Sequence, residues 1–365
     1  MKERESNFDL LRIIATIAVV AIHVSGYYAS AITTKYWLGE EYTSHMLSTS
    51  LYRVVSSFAV PVFVMLSGKF ALSKSQNRNF KYYYRKEIYS IGIPILIFSA
   101  FYFLYGIVRC IAVGVIGHKS VIEIVSGGGK LIVNLIKGKP FYHLWYVYMM
   151  AGVFVLVPII IRIRDAVGER NFNKFAIVFF VMSTLGLHTS AHELMWDPGY
   201  SFGFVGYFII GYIISKKSDC KNNKKGIGMI SLGFFVLIVL AYLLYIKGTN
   251  GIGHTDTLAN WAGASSPLVA VVSVLIFAGF SKLDIKKDFS KLARLCFTIY
   301  LFHAGIWDMV SIFITRTMDN RLIIPMMSLF VFFVSWLASI IWIRLWNKID
   351  ARWNLSNQFC NILGL

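Results

Sequence analysis

Charge is what this sequence has least of. Only 15% of its 365 residues are Asp, Glu, Lys or Arg, against about 25% in an ordinary soluble domain. With 57% hydrophobic residues and a mean hydropathy of +0.63, that shortage excludes a typical water-soluble enzyme. Sustained apolar–polar alternation is also missing, which excludes a large β-barrel. The four cysteines, Cys110, Cys220, Cys296 and Cys360, are too scattered for a disulfide framework or a metal-ligand set. No internal repeat of the kind many secondary transporters carry is visible.

What is present is a series of apolar runs of about twenty residues, the length that crosses the hydrocarbon core as a helix. They cover Phe8–Ala31, Tyr52–Leu72, Ile88–Val115, Phe141–Arg162, Lys174–Thr189, Ser201–Ser215, Ile227–Ile246, Pro267–Phe280, Leu295–Thr315 and Leu322–Trp346. The fold class they imply is an all-α integral membrane protein of about ten transmembrane helices, one membrane domain over residues 1–365. The fifth, sixth and eighth runs are short, so nine or eleven remain open.

The net charge of +18 is distributed in a way that favours a membrane over nucleic acid. With an even number of spans, connections alternate sides, and most basic residues fall on the amino-terminal side. They include Lys2, Arg4, Lys69, Lys74, Arg78, Lys81, Arg85, Lys86, Arg162, Arg164, Lys216, Lys217, Lys286, Lys287 and Lys348. The positive-inside rule therefore places both termini in the cytoplasm, beside anionic lipid. Lys2, Arg4 and Ala29-Ser30-Ala31 imitate a cleavable secretory signal. Arg12 interrupts the apolar core of that segment, and the expectation is that it is retained.

Between the third and fourth runs, Gly117–Pro140 is read as an outer segment. Its Ser126-Gly127-Gly128-Gly129-Lys130 lacks the spacing of a phosphate loop. Val121–Val125 and Leu131–Ile136 beside it suit interfacial helix. The Gly248–Ala264 connection is read as an irregular outer loop.

Ionisable side chains inside hydrocarbon are costly and therefore functional candidates. The first run, FDLLRIIATIAVVAIHV, holds Arg12 and His23. Eleven residues at about 100° each make three turns plus about 20°, so both lie on one helix face, about 16 Å apart along the axis. One end can hold a phosphate while the other acts at the far end of an extended ligand, as a coenzyme A thioester requires. Snorkelling, or pairing with Asp9, stays open for Arg12, and simple packing stays open for His23.

The same segment resembles the opening of the acyltransferase-3 family, whose first helix carries an Arg, ten intervening residues and a His. FAVPVFVMLSGKFAL, with Ser67-Gly68, resembles that family's second helix. KGKPFYHLWYVYMMAGVFVLVPII, centred on His143 and Trp145, resembles the fourth, and CFTIYLFHAGIW, with Tyr300 and His303, the ninth. The likeness is to small standalone bacterial members without a fused SGNH-type hydrolase domain. One departure stands out. Members often carry Arg-x-x-Arg entering the third helix, whereas here Arg85 and Lys86 stand side by side.

The resemblance implies a ten-helix enzyme of the bacterial cytoplasmic membrane. It would take acyl groups from cytoplasmic acyl-CoA, usually acetyl-CoA, and place them on a hydroxyl of an extracytoplasmic envelope glycan or glycolipid, directly or through a partner protein. In that reading His23 is the general base, and Arg12, Ser67, Arg85 and Lys86 surround the donor. His143, Trp145, Tyr300 and His303 line the acceptor path or acyl tunnel, with orienting His23 or simple packing equally open for His303. Ser67 equally suits a structural role, and the aromatics around His143 equally suit an interfacial belt. His188 and His192 have ligand-like spacing but no third ligand, and no metal is expected. The competing class is a secondary transporter or flippase for a lipid-linked envelope precursor.

Overall fold

The computed structural model describes residues 5–35, 40–118, 120–184, 198–217, 221–249, 263, 266–314 and 320–355. Among them no strand occurs, and every apolar run of the sequence is represented by helix. The helices are α1 (Ser6–Lys35), α2 (Glu40–Val55), α3 (Ala59–Leu72), α4 (Phe80–Glu87), α5 (Ile93–Ile116), α6 (Val121–Ile136) and α7 (Trp145–Val155). They continue as α8 (Val157–Thr184), α9 (Pro198–Lys216), α10 (Asn223–Thr249), α11 (Pro267–Ser281), α12 (Cys296–Ser311) and α13 (Asn320–Trp353). His188, His192 and most of the Gly248–Ala264 connection lie outside the described residues.

Five described segments are long and apolar enough to cross a bilayer: Ser6–Tyr27, Leu47–Leu72, Phe80–Ile116, Asn223–Ile246 and Arg321–Trp353. A sixth arises if α7 and α8, bent by 42°, are taken as one span. Ser201–Lys216 and Pro267–Ser281 are apolar but shorter.

The breaks in these helices have local causes. Proline lacks an N–H and cannot continue the preceding turn. Pro61 accordingly follows the break between α2 and α3, and Pro158 follows the bend between α7 and α8. Pro94 sits in the first turn of α5, directly after a π turn at Ile88–Gly92. Ser90 Oγ there donates to the Lys86 carbonyl at 3.1 Å. The glycine-rich stretch is helix throughout, because α6 runs through Gly127–Gly129 from a complete capping box of Ser120 and Glu123.

By its contacts the chain divides into two compact units. The first comprises Met1–Phe70, Ala176–Gly186 and Gly206–Leu345, and the second Ala71–Phe175, Leu187–Val205 and Trp346–Leu365. In the first unit α1 packs against α2, α11 and α12. The Ser6–Tyr27 window is 67% buried and the Leu47–Leu72 window 72%, against 22% for Arg321–Trp353. The helix carrying Arg12 and His23 is thus interior, whereas α13 turns most of its apolar surface outward. Asn7 Nδ2 anchors the start of α1 to the Phe280 carbonyl at 2.9 Å, and Phe8 meets the Phe277 ring at 5.4 Å.

Two glycines set the closest helix crossing in this unit. A Cβ on Gly68 would collide with the carbonyl of Phe208, and one on Gly211 with the backbone of Met65. Helices α3 and α9 therefore meet backbone to backbone. Gly68→Ala and Gly211→Ala are each expected to destabilise the protein by about 1–3 kcal/mol through overpacking. Thermal unfolding in detergent reads this, and an unchanged midpoint for both would remove the crossing from the stability argument.

In the second unit α5 and α6 form a close hairpin, with Gly106 against Leu131, Gly114 against Ile124 and Gly127 against Cys110. Tyr84 OH donates to the Val155 carbonyl at 2.9 Å, fixing α4 to the end of α7.

Candidate functional site

The first unit gathers five of the residues singled out from sequence: Arg12, His23, Ser67, Tyr300 and His303. His23 is half-buried on α1. The fully buried His303 ring on α12 faces it, with ring centroids 5.1 Å apart and planes inclined by 40°. His303 Nδ1 lies 2.5 Å from the carbonyl oxygen of Tyr300, one turn earlier. A carbonyl only accepts, so Nδ1 carries the proton and Nε2 keeps its lone pair. This bond fixes both the tautomer and the ring plane of the histidine behind His23. The Tyr300 ring flanks His303 at 5.3 Å.

Just beyond His23 the wall of the site is apolar. Val20, Val24, Trp307, Ile324 and Val331 form a buried cluster, and the Tyr27 ring meets Trp307 edge-on at 5.5 Å. Tyr27 OH donates to the Ser311 carbonyl, holding α1 against the end of α12.

Arg12 marks the other end of α1. Its guanidinium stacks over the Phe70 ring at 5.0 Å and lies 3.6 Å from Asp9. The pairing with Asp9 that the sequence left open is therefore present. It is lopsided: Asp9 is 4% exposed, while Arg12 keeps 25% of its side chain accessible. Lys69 joins this end, which the sequence reading had counted only as a rim charge. Its ammonium sits over the Phe8 ring at 4.2 Å and pairs with Glu5 at 2.6 Å, with just 8% of the side chain exposed. Two cations at one end and a histidine pair at the other thus lie along one interior helix. Ser67 is occupied differently, its hydroxyl donating to the Phe63 carbonyl at 2.9 Å.

A second residue missed from sequence is Arg53, in the last turn of α2. Its Nη1 lies 3.9 Å from where a Cβ on Gly26 would stand, one turn beyond His23. It sits inside the apolar Leu47–Leu72 segment, and an arginine in such a run is a signal in itself. The predicted span opens at Tyr52, which leaves Arg53 at the end of that run. The helix in fact begins at Glu40.

Arg85, Lys86, His143 and Trp145 belong to the second unit. Lys86 pairs with Glu87 at 2.5 Å and lies 5.1 Å from the Tyr83 ring centre. His143, expected on the acceptor path or tunnel, has a wholly buried side chain. Tyr102, Phe141 and Tyr142 surround it at 5.0, 5.7 and 5.9 Å between ring centres. Trp145 packs on Tyr146 and Phe204. Among the described residues no group of three His, Cys, Asp or Glu side chains is arranged to hold a metal ion.

A family model described as an acyltransferase domain matches residues 5–342. Among curated proteins, an amino-acid racemase of Enterococcus faecalis is 30% identical over 167 residues, which make up 44% of this chain and 20% of that protein. The chain therefore spans about a fifth of the length of that relative. No solved structure matches.

Proposed function

The chain belongs to the acyltransferase-3 family, and from that premise we propose that it is an O-acyltransferase of the bacterial cytoplasmic membrane. It takes an acyl group, acetyl in the first instance, from cytoplasmic acyl-CoA. It delivers the group to a hydroxyl of an extracytoplasmic envelope glycan or glycolipid. Ten spans with both termini in the cytoplasm suit this route, and the bias of basic residues toward one side supports that topology.

One observation carries the reading. The interior helix α1 bears Arg12 and His23 on one face, and the second histidine, His303, stands behind the first. The axial separation of about 16 Å suits a pantetheine arm. Arg12 and Lys69 fit the phosphates of the donor, since both are cations held on aromatic rings. Their partners Asp9 and Glu5 must be displaced or shared when phosphate binds. Arg85 and Lys86, in the second unit, are candidates for donor binding from the sequence alone. Ser67, bonded to its own helix, serves as a structural residue. His23 takes the proton of the acceptor hydroxyl as that oxygen attacks the thioester carbonyl. The proton then leaves with the CoA thiol.

The test is purified protein in liposomes, supplied with acetyl-CoA on one side and envelope glycan on the other. Free CoA and acetylated glycan should appear together, and a protein that produced neither would overturn the proposal. Arg12→Ala should weaken acyl-CoA binding by about 1.5–3 kcal/mol, the size of a charge-assisted hydrogen bond. Arg12→Lys should recover part of it, because lysine lacks the bidentate fork. Unchanged affinity in folded Arg12→Ala would reduce Arg12 to a partner of Asp9.

A further inference from the structure

Arg53 has no role in the chemistry described so far, yet its placement is costly. It lies in the interior apolar segment Leu47–Leu72, and no carboxylate among the described residues is within ion-pair distance of it. A guanidinium partly withdrawn from water in such a segment is costly to hold. Such a group suits a negative charge that arrives during function.

The geometry narrows which charge that is. Gly26 follows His23 by three residues, so the two share a face of α1. Gly26 has no side chain, and Arg53 Nη1 lies 3.9 Å from where its Cβ would stand. His23 and Arg53 are close enough to interact electrostatically. A hydroxyl that gives its proton to His23 is attacking a carbonyl carbon within reach, and the carbonyl oxygen is one bond further on. The planar guanidinium fork offers several N–H donors to that oxygen from beside the base.

We propose that Arg53 is a catalytic residue whose guanidinium donates to the thioester carbonyl oxygen and holds the negative charge of the tetrahedral intermediate. The inference rests on the acyl-transfer reading and deepens it. As the acceptor oxygen bonds to the carbonyl carbon, its proton passes to His23 and the π electrons move onto the oxygen facing Arg53. Collapse restores the C=O bond and breaks the C–S bond. The departing thiolate takes the proton back from His23 as free CoA, leaving an ester. Donors aimed at developing charge in a water-poor site typically contribute about 10²–10³-fold to kcat.

The experiment compares wild type, Arg53→Gln, Arg53→Lys and Gly26→Leu in liposomes, with acetyl-CoA and total envelope glycan of the producing cell. Arg53→Gln should lose about 10²–10³-fold in kcat, with each KM moving less than about threefold. Arg53→Lys, which keeps the charge without the fork, should recover part. Gly26→Leu keeps the arginine but crowds its guanidinium, and kcat should fall with it. Retained acetyl-CoA binding in each variant separates this loss from misfolding. Wild-type kcat in Arg53→Gln would overturn the proposal and leave the acyl-transfer reading standing. A loss confined to KM for glycan would also overturn it, by making Arg53 the holder of a fixed anion on the acceptor. A wild type that releases no CoA would overturn the underlying reading and the proposal with it.

Discussion

Replacing His23 by glutamine is expected to lower acyl transfer by about 10²–10⁴-fold while acyl-CoA still binds. Glutamine keeps much of the side-chain volume and some hydrogen bonding, but it cannot accept the acceptor's proton at neutral pH. His23→Ala should be no worse by more than a small factor, because both remove the base. On the proposed reading the donor's phosphates sit at the other end of α1, so binding and turnover should separate cleanly. Arg12→Ala is the mirror image, with weakened binding and less effect on the chemical step. A transporter using His23 as polar lining would tolerate glutamine. Measuring CoA release and equilibrium CoA binding on the same preparations decides the matter. Near-normal turnover in His23→Gln would end the assignment of His23 as base.

Substitution of His303 should cost about 10²-fold in kcat, the penalty for letting a catalytic group drift by roughly an ångström. On the proposed reading His303 is a positioning residue, since it would act through the imidazole of His23. Its Nδ1 proton is committed to the Tyr300 carbonyl, so its other nitrogen is left as an acceptor. Two variants separate that property from packing. His303→Phe fills a similar volume beside Tyr300 without an acceptor, whereas His303→Gln keeps an acceptor with less ring. Positioning predicts that Gln retains more kcat than Phe while acyl-CoA binding stays near wild type in both. The reverse order, or full activity in Phe, would make His303 a core residue.

Much of this fold was legible because lipid imposes a simple rule on sequence. Backbone groups in hydrocarbon must bond within their own helix, so apolar runs near twenty residues are helices. Each run is represented by helix, from Ser6–Lys35 to Asn320–Trp353. Helix ends and interruptions were harder to read, since α2 starts twelve residues before the predicted run. The glycine-rich stretch looked like a gap, yet Gly127 is needed in α6 because Cys110 leaves no room for a Cβ.

The site divides along the same line. Arg12 and His23 were readable because one helix fixes their spacing. The approach of His303 to His23 joins α1 to α12, and spacing within a helix cannot measure that; here the family resemblance supplied the candidate. Lys69 and Arg53 each stand near the end of a predicted run, where a cation ordinarily reaches water, so neither stood out as a site residue. His143 drew attention as a histidine among aromatics, but those rings bury it.

The interior position of α1 also has a consequence for biosynthesis. Asn7 bonds to Phe280, 273 residues later, and Tyr27 to Ser311, 284 residues later. At about 5–20 residues per second, translation takes roughly 14–57 s to deliver those partners. Throughout that interval the first segment to leave the ribosome carries Asp9, Arg12 and His23 without the helix that supplies His303. A polar face of this kind partitions poorly into lipid alone. The nascent chain must therefore keep its first helix at the insertion machinery, or against α2 and α3, until the last third of the protein has been made.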